Sequence, residues 1–462
     1  MNPLKRLTAL AAALVLAGCS QLPQYERPAA PVPGAFPYPS AQEGAPAAAL
    51  AWEEYFTDAR LRTLIATALR NNRDLRVATL NIAQARAQYD IRNADRLPTV
   101  AFTASAARQP SLINNAPQQT TLYQANLAFS AWELDFFGRI ASLSESALQQ
   151  FLATEEGRNA AQMSLVASVA ASWLNLAADE ELLALTEQTL QTRAQSMELM
   201  RLRLEQGVSS ELDFRLAQSL YETARASLAQ FQRQRATDLN TLALLVGAPV
   251  APQFEVKVTT ESVELADLPA GIPSEVLVRR PDVRQAEHLL MSANADIGAA
   301  RAAFFPRIAL TAGIGTASAD LGGLVAGNAW GYTVIPSLAQ TVFDGGRNRA
   351  NLAATEVSRE IAVAQYERAI QQAFREVADA LAGRATYSDQ VRAQAAVVEA
   401  EAMRFRLAQL RYQNGVASTL DLLDAQRSLF LAQQDLVRAR LGRLQNQVQL
   451  YRSLGGGWNP DP

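Results

Sequence analysis

The chain of 462 residues holds one cysteine and one histidine. The single cysteine, Cys19, excludes a disulfide framework, and Cys19 with His288 cannot furnish a zinc cluster. The same shortage removes the usual His- and Cys-based nucleophilic triads. His288 falls on a predicted helix and reads as a packed or surface residue, not a ligand. Lysine is nearly missing: only Lys5 and Lys257 occur, so the 42 basic residues are almost all arginine. Against 45 acidic residues they leave a formal charge of −3, with no polybasic footprint for nucleic acid. Aromatics make up 7% of the chain, too few for the sugar-binding cleft that a carboxylate glycosidase needs. No stretch approaches the roughly 20 apolar residues of a membrane-spanning helix, so the expectation is not an α-helical membrane protein. Proline is absent from 118–248 and from 337–459, which leaves room for very long helices.

What is present begins with a leader. Lys5 and Arg6 precede an apolar run from Leu7 to Leu16, followed by Ala17-Gly18-Cys19. The run is too short to span a bilayer and reads as a signal peptide over 1–18. Leu16-Ala17-Gly18-Cys19 is similar to a bacterial lipoprotein cleavage box, so Cys19 is expected to carry lipid. Ser20, in place of aspartate, is similar to the pattern of lipoproteins sent on to the outer membrane. Residues 19–53, with seven prolines from Pro23 to Pro46, are expected to form an extended tether.

The rest of the chain is a duplication. At an offset of 208, Asp74 and Arg76 match Asp282 and Arg284, Pro98 matches Pro306, and Gly138-Arg139 matches Gly346-Arg347. Gly207, Val208, Ser210, Leu212 and Asp213 match Gly415, Val416, Ser418, Leu420 and Asp421. Shared helix composition would align alanines and leucines, but not glycine, proline and aspartate in step. The copies are placed at 54–248 and 274–456, joined by a linker at 249–273 and followed by a tail at 457–462. Each is expected to hold a helix (61–95 and 281–303), two strands, and a helical run rich in Ala, Leu, Gln, Glu and Arg. The runs 139–206 and 347–414 would each extend roughly 100 Å, unless Gly157 or Gly383 interrupts them. Gly207-Val208-Ser209-Ser210 and Gly415-Val416-Ala417-Ser418 then mark a helix stop, a turn and a capped restart.

Between the helices the apolar period changes from 3.6 to 2. Strands are expected at 99–106, 123–131, 307–316 and 329–338. One face of each is apolar and the other polar or small, as in transmembrane strands around a wet lumen. The fourth strand is one residue out of phase with the second, which Pro336 or a bulge could absorb. Four strands cannot close a barrel, so the chain must oligomerise. Two copies would give eight strands and a filled interior, whereas three would give twelve and a channel.

Five stretches carry a family resemblance: Glu133-Leu-Asp-Phe-Phe-Gly-Arg139, the run from Arg279 to Glu287, Ala299-Ala-Arg-Ala-Ala-Phe-Phe-Pro306, Phe343-Asp-Gly-Gly-Arg347, and Leu422-Leu-Asp-Ala-Gln-Arg-Ser428. Together the mature chain resembles the outer-membrane factors of tripartite efflux systems, in their TolC-like, nodulation-type lipoprotein branch. The resemblance implies an α+β membrane protein, a homotrimer with a twelve-stranded β-barrel in the outer membrane and a helical barrel reaching through the periplasm. It implies two partners, a periplasmic adaptor and an inner-membrane transporter of the RND type, with outer-membrane lipid around the barrel. The function expected is a passive exit duct for drugs and toxic compounds, with no catalysis, no metal and no cofactor beyond the lipid. Ducts for metal ions or for type I protein secretion, and a non-transporting coiled-coil lipoprotein, are the alternatives.

Two sets of candidate site residues follow. The turns at Gly207, Val208, Ser209, Ser210 and at Gly415, Val416, Ala417, Ser418 are expected to face the adaptor. Asp421 and Asp424 share one face of the return helix. Repeated three times about an axis they would form a ring of carboxylates, a common device for binding cations. Asp421 repeats Asp213 of the first copy and has a capping role, but Asp424 aligns with Leu216. The family's aspartate ring falls on this Leu-Leu-Asp-Ala-Gln motif. Crowding in such a ring is expected to raise the carboxyl pKa values.

Overall fold

A computed structural model describes residues 21–38, 50–113, 116–250, 259–265, 268 and 277–458. Cys19 and much of the linker lie outside the described residues. In chain order the elements are α1 (Trp52–Tyr55), α2 (Ala59–Asn71), α3 (Arg73–Ala94), β1 (Ala101–Ile113), β2 (Ala116–Glu133), α4 (Arg139–Glu205), α5 (Glu211–Val246), α6 (Pro281–Ala302), β3 (Arg307–Ser318), β4 (Trp330–Ala339), α7 (Arg347–Gln413) and α8 (Thr419–Ser453). The chain divides into two compact units, each assembled from both copies.

The first unit comprises residues 1–29, 81–155 and 285–366 and contains the sheet. Its four strands are antiparallel in the order β1-β2-β3-β4. Cross-strand rows sort the side chains cleanly. Phe102, Leu127, Ile314 and Tyr332 form one row, and Ala104, Ala125, Thr316 and Trp330 the next row on that face. The opposite face carries Thr103, Asn126, Gly315 and Gly331, then Ala101, Ala128, Gly313 and Thr333. The apolar face is in solvent in the single chain, with Tyr332 84% and Phe102 70% exposed.

The phase problem resolves in β2, not β4. Phe129 pairs with Ala312 and Trp132 with Leu310, so Ser130 and Ala131 together oppose Thr311 alone. This is a β-bulge. Ala131 takes φ +52°, and its amide donates to Thr311 Oγ1 at 2.9 Å. One extra residue in β2 returns Tyr123, Ala125 and Phe129 to the face of Tyr332, Val334 and Leu338. The first hairpin also runs further than the apolar alternation does, through Arg108↔Thr121 and Pro110↔Gln119. Backbone pairing needs no greasy face, and Pro110 lies on the edge strand of the single chain's sheet, beyond the rows that β3 reaches.

Below the sheet, Glu133 receives Arg139 at 2.8 and 2.7 Å and Arg307 at 2.7 Å. Phe137 stacks on Phe305 at 4.8 Å. Asp135 and Asp344 accept amides of the first turns of α4 and α7, from Ala141 (2.7 Å) and Asn348 (2.9 Å). The described part of the tether is docked on α6. Tyr25 and Arg27 both donate to Glu287, and Asn294 Nδ2 donates to Pro23 O at 2.9 Å. His288 Nδ1 lies 2.7 Å from Gln149 Oε1, a packed residue as its helical position suggested.

The second unit comprises residues 30–80, 156–284 and 367–462 and is helical. The expected first helix breaks at Asn72, whose side chain accepts from Leu75 N and donates to Leu245 O. Buried Arg280 donates to Asp282, Glu376 and Ser453 O, joining the start of α6 to α7 and the end of α8. Neither Gly157 nor Gly383 interrupts its helix: α4 and α7 are each continuous over 67 residues. Gly383 instead permits close packing, since a Cβ there would fall 2.6 Å from Asn446 Cγ. Contrary to the sequence expectation, α4 contains a window long and apolar enough to cross a membrane, but 61% of that window is buried against the chain.

Candidate functional site at the helical turns

Arg203 to Asp213 and Arg411 to Asp421 build the same turn twice. Gly207 and Gly415 take φ +69° and +73°, the left-handed conformation that glycine adopts without a Cβ clash. Val208 N donates to Arg203 O and Gly207 N to Leu204 O, and the same pair recurs from Val416 and Gly415. These are Schellman motifs, which satisfy the last carbonyls of the long helices. The return helices open on reciprocal capping boxes, Ser210 with Asp213 and Ser418 with Asp421. The turns thus need no outside help to fold, yet they hold apolar side chains in solvent. Val208, Leu212, Val416 and Leu420 are 60–78% exposed, which marks a contact surface.

Behind the turns, Met200, Ala217 and Leu423 form a buried cluster with Phe214, Leu216 and Tyr412 around it. Arg203 reaches across from α4 to α7, donating to Tyr412 OH at 2.6 Å with its guanidinium 5.0 Å from the ring centroid. Among the described residues no cluster of His, Cys, Asp and Glu is arranged to hold a metal ion.

Asp421 and Asp424 have different surroundings. Asp421 is committed to its cap: Ser418 donates through both Oγ and N. Those bonds, with Arg411 and Arg404 nearby, hold its carboxyl below the ordinary aspartate range. Within one chain this is the reverse of the shift expected from crowding, because the Ser418 hydrogen bonds dominate and the nearby charges are arginines. Asp424 is bound on both sides, by Arg404 of α7 and by Arg427 at 2.5 Å on its own helix. The two arginines escaped the sequence reading. The signal was available in the duplication: Arg404, Asp424 and Arg427 align with Ser196, Leu216 and Ser219. All three positions change from uncharged to charged together, and Leu216 packs into the apolar cluster instead.

The family model described as outer membrane efflux protein matches residues 64–248 and 272–456, two segments related by the same 208-residue offset. The chain is 44% identical over 464 residues to the toluene efflux pump outer membrane protein TtgC of Pseudomonas putida, covering 98% of this chain and 96% of that protein. Among solved structures it resembles a membrane protein from Pseudomonas aeruginosa, at 43% identity and a TM-score of 0.90, covering 95% of this chain and 98% of that one. It also resembles the open state of the Neisseria gonorrhoeae MtrE outer membrane channel, at 39% identity and a TM-score of 0.89, over 96% and 99% of the two chains. With both copies matched and these likenesses running nearly end to end, the chain belongs to the outer membrane efflux protein family.

Proposed function

We propose that the protein is the outer-membrane exit duct of a tripartite efflux pump, built from three copies and opened at the helical turns. The sheet carries this reading. Its apolar face suits lipid and its small, polar face suits a wet lumen, while both edges lack strand partners among the described residues. Joining β4 of one copy to β1 of the next makes twelve strands and leaves a channel, which eight strands would not. Lipid on Cys19 anchors the tether in the same membrane.

The duct performs no catalysis. An inner-membrane transporter supplies the energy, and a periplasmic adaptor joins the two by seating on the exposed apolar turns. The cargo class is small apolar and amphipathic compounds, in keeping with the relative named for toluene efflux. In the closed state Asp424 locks α8 to α7 through Arg404, and Asp421 adds a second carboxylate one helical turn away. The test is reconstitution of the purified protein in planar bilayers, with native mass spectrometry of the same sample. A trimer with low resting conductance, raised by Asp424→Ala, is the expected result. A folded monomer, or a trimer that never conducts, would defeat the proposal.

A further inference from the structure

The junction between the sheet and its helices holds a cavity that the duct reading does not use. Its volume is about 290 Å³, and it lies between the end of β2, the start of β3 and the segment after β4. Phe136, Phe137 and Phe305 give the wall an apolar side, and Arg139, Arg307 and Thr341 a polar one. Phe137 and Phe305 are stacked at 4.8 Å and 15°, a surface of the kind an aromatic ring packs against.

The charged groups stand on one face of the sheet. Arg307 shares the side of β3 that carries Ala309, Thr311 and Gly313, and Glu133 is directly opposite Ala309. Both therefore project from the small, polar face. The pairing there leaves donors in excess. Glu133, with a side chain 9% exposed, is gripped by Arg139 through Nε and Nη2 and reached by Arg307 through Nε. Asp135, the other carboxylate in the wall, accepts the Ala141 amide at 2.7 Å. The Arg307 side chain is 59% exposed, and neither of its Nη groups has a partner among the described residues. A guanidinium is a planar fork of five N–H donors, suited to a carboxylate or sulfonate. The duplication shows that folding the junction does not require these charges. At the 208 offset Arg307 aligns with Thr99 and Glu133 with Thr341, so the corresponding strand ends are built with threonine.

We infer that this cavity binds organic anions with an aromatic or other apolar body, Arg307 taking the acid group and the phenylalanines the rest. The inference rests on the duct reading, in which the polar face is the lumen wall, and deepens it by naming acidic amphiphiles as a cargo class. Three such cavities, one per copy, ring the base of the barrel and hold these compounds briefly on their way out.

Naphthalenesulfonate and its uncharged relative naphthalenesulfonamide are the probes. Binding to the full-length protein in lipid nanodiscs is measured by equilibrium dialysis, with empty nanodiscs subtracted. The sulfonate should bind once per chain and at least about tenfold more tightly than the sulfonamide, the margin of a charge-assisted hydrogen bond. Arg307→Gln should lose that margin and bind the sulfonamide as before. Arg307→Thr, which imports the residue found at position 99, gives an independent second removal. Equal binding of the two probes by the wild type, or unchanged sulfonate affinity in both variants, would overturn the inference. Conductance of the same samples in planar bilayers keeps the two readings apart. A conducting trimer without the preference sinks the anion site alone. Arg307-dependent binding by a protein that never conducts sinks the duct and leaves the site standing.

Discussion

Asp424 joins Arg404 of α7 to Arg427 of its own helix, so the three side chains form one ion-pair network. Pairs this exposed contribute about 0–1 kcal/mol to stability, so the gate proposed above is to be read in conductance and not in stability. Asp424→Ala and Arg404→Ala should each raise single-channel conductance, and the double variant should raise it little further, since both cut the same tie. Asp421 differs. Its folded carboxyl lies below the ordinary 3.8, so its capping contribution is complete at neutral pH and is lost as the pH falls below that value. Acid-induced fraying confined to the first turn of α8, followed by amide chemical shift or exchange, checks this. In the sheet, a Cβ on Gly315 would meet Ala125 O at 2.5 Å and Asn126 Oδ1 closer still. Gly315→Val should therefore lower stability by about 1–3 kcal/mol, measured as a fall in the thermal midpoint of the assembled protein.

Elements show where sequence reading succeeds and where it stops. Strand identity was legible because Phe102, Leu127, Ile314 and Tyr332 alternate with small or polar neighbours at period 2. Strand length was not, since Arg108, Gln109 and Gln119 pair by backbone alone and leave no apolar trace. The turns were legible down to the capping serines because glycine and serine there answer local needs of the backbone. The arginines around Asp424 were not, because Arg404 stands 20 residues away and meets it only through helix packing. Gly383 misled for a related reason: a helix can hold glycine where a neighbour, here Asn446, must come close. Two variants test this scale. Ser418→Ala removes one half of a capping box and should destabilise the start of α8 by about 0.5–2 kcal/mol, seen as faster exchange of its first turn. Deleting Ala131 should be far more damaging. Loss of the bulge turns Tyr123, Ala125, Leu127 and Phe129 to the polar face, and the assembled oligomer should not be recovered from membranes.

At the scale of the whole molecule, the open sheet requires copies of itself, and cross-linking in detergent should trap trimers without a significant folded monomer. The duplication then has a geometric consequence. Three chains with two hairpins each make a ring of six blades, alternately of the first and second copy. The Schellman turns and caps are common to all six, so every blade has the same tip. The charged lock belongs to the second copy alone, where serine, leucine and serine have become arginine, aspartate and arginine. On the gate proposed above, the lock sits at alternate blades, and each first-copy blade is joined to its second-copy neighbour through Leu216, which packs with Leu423 and Tyr412.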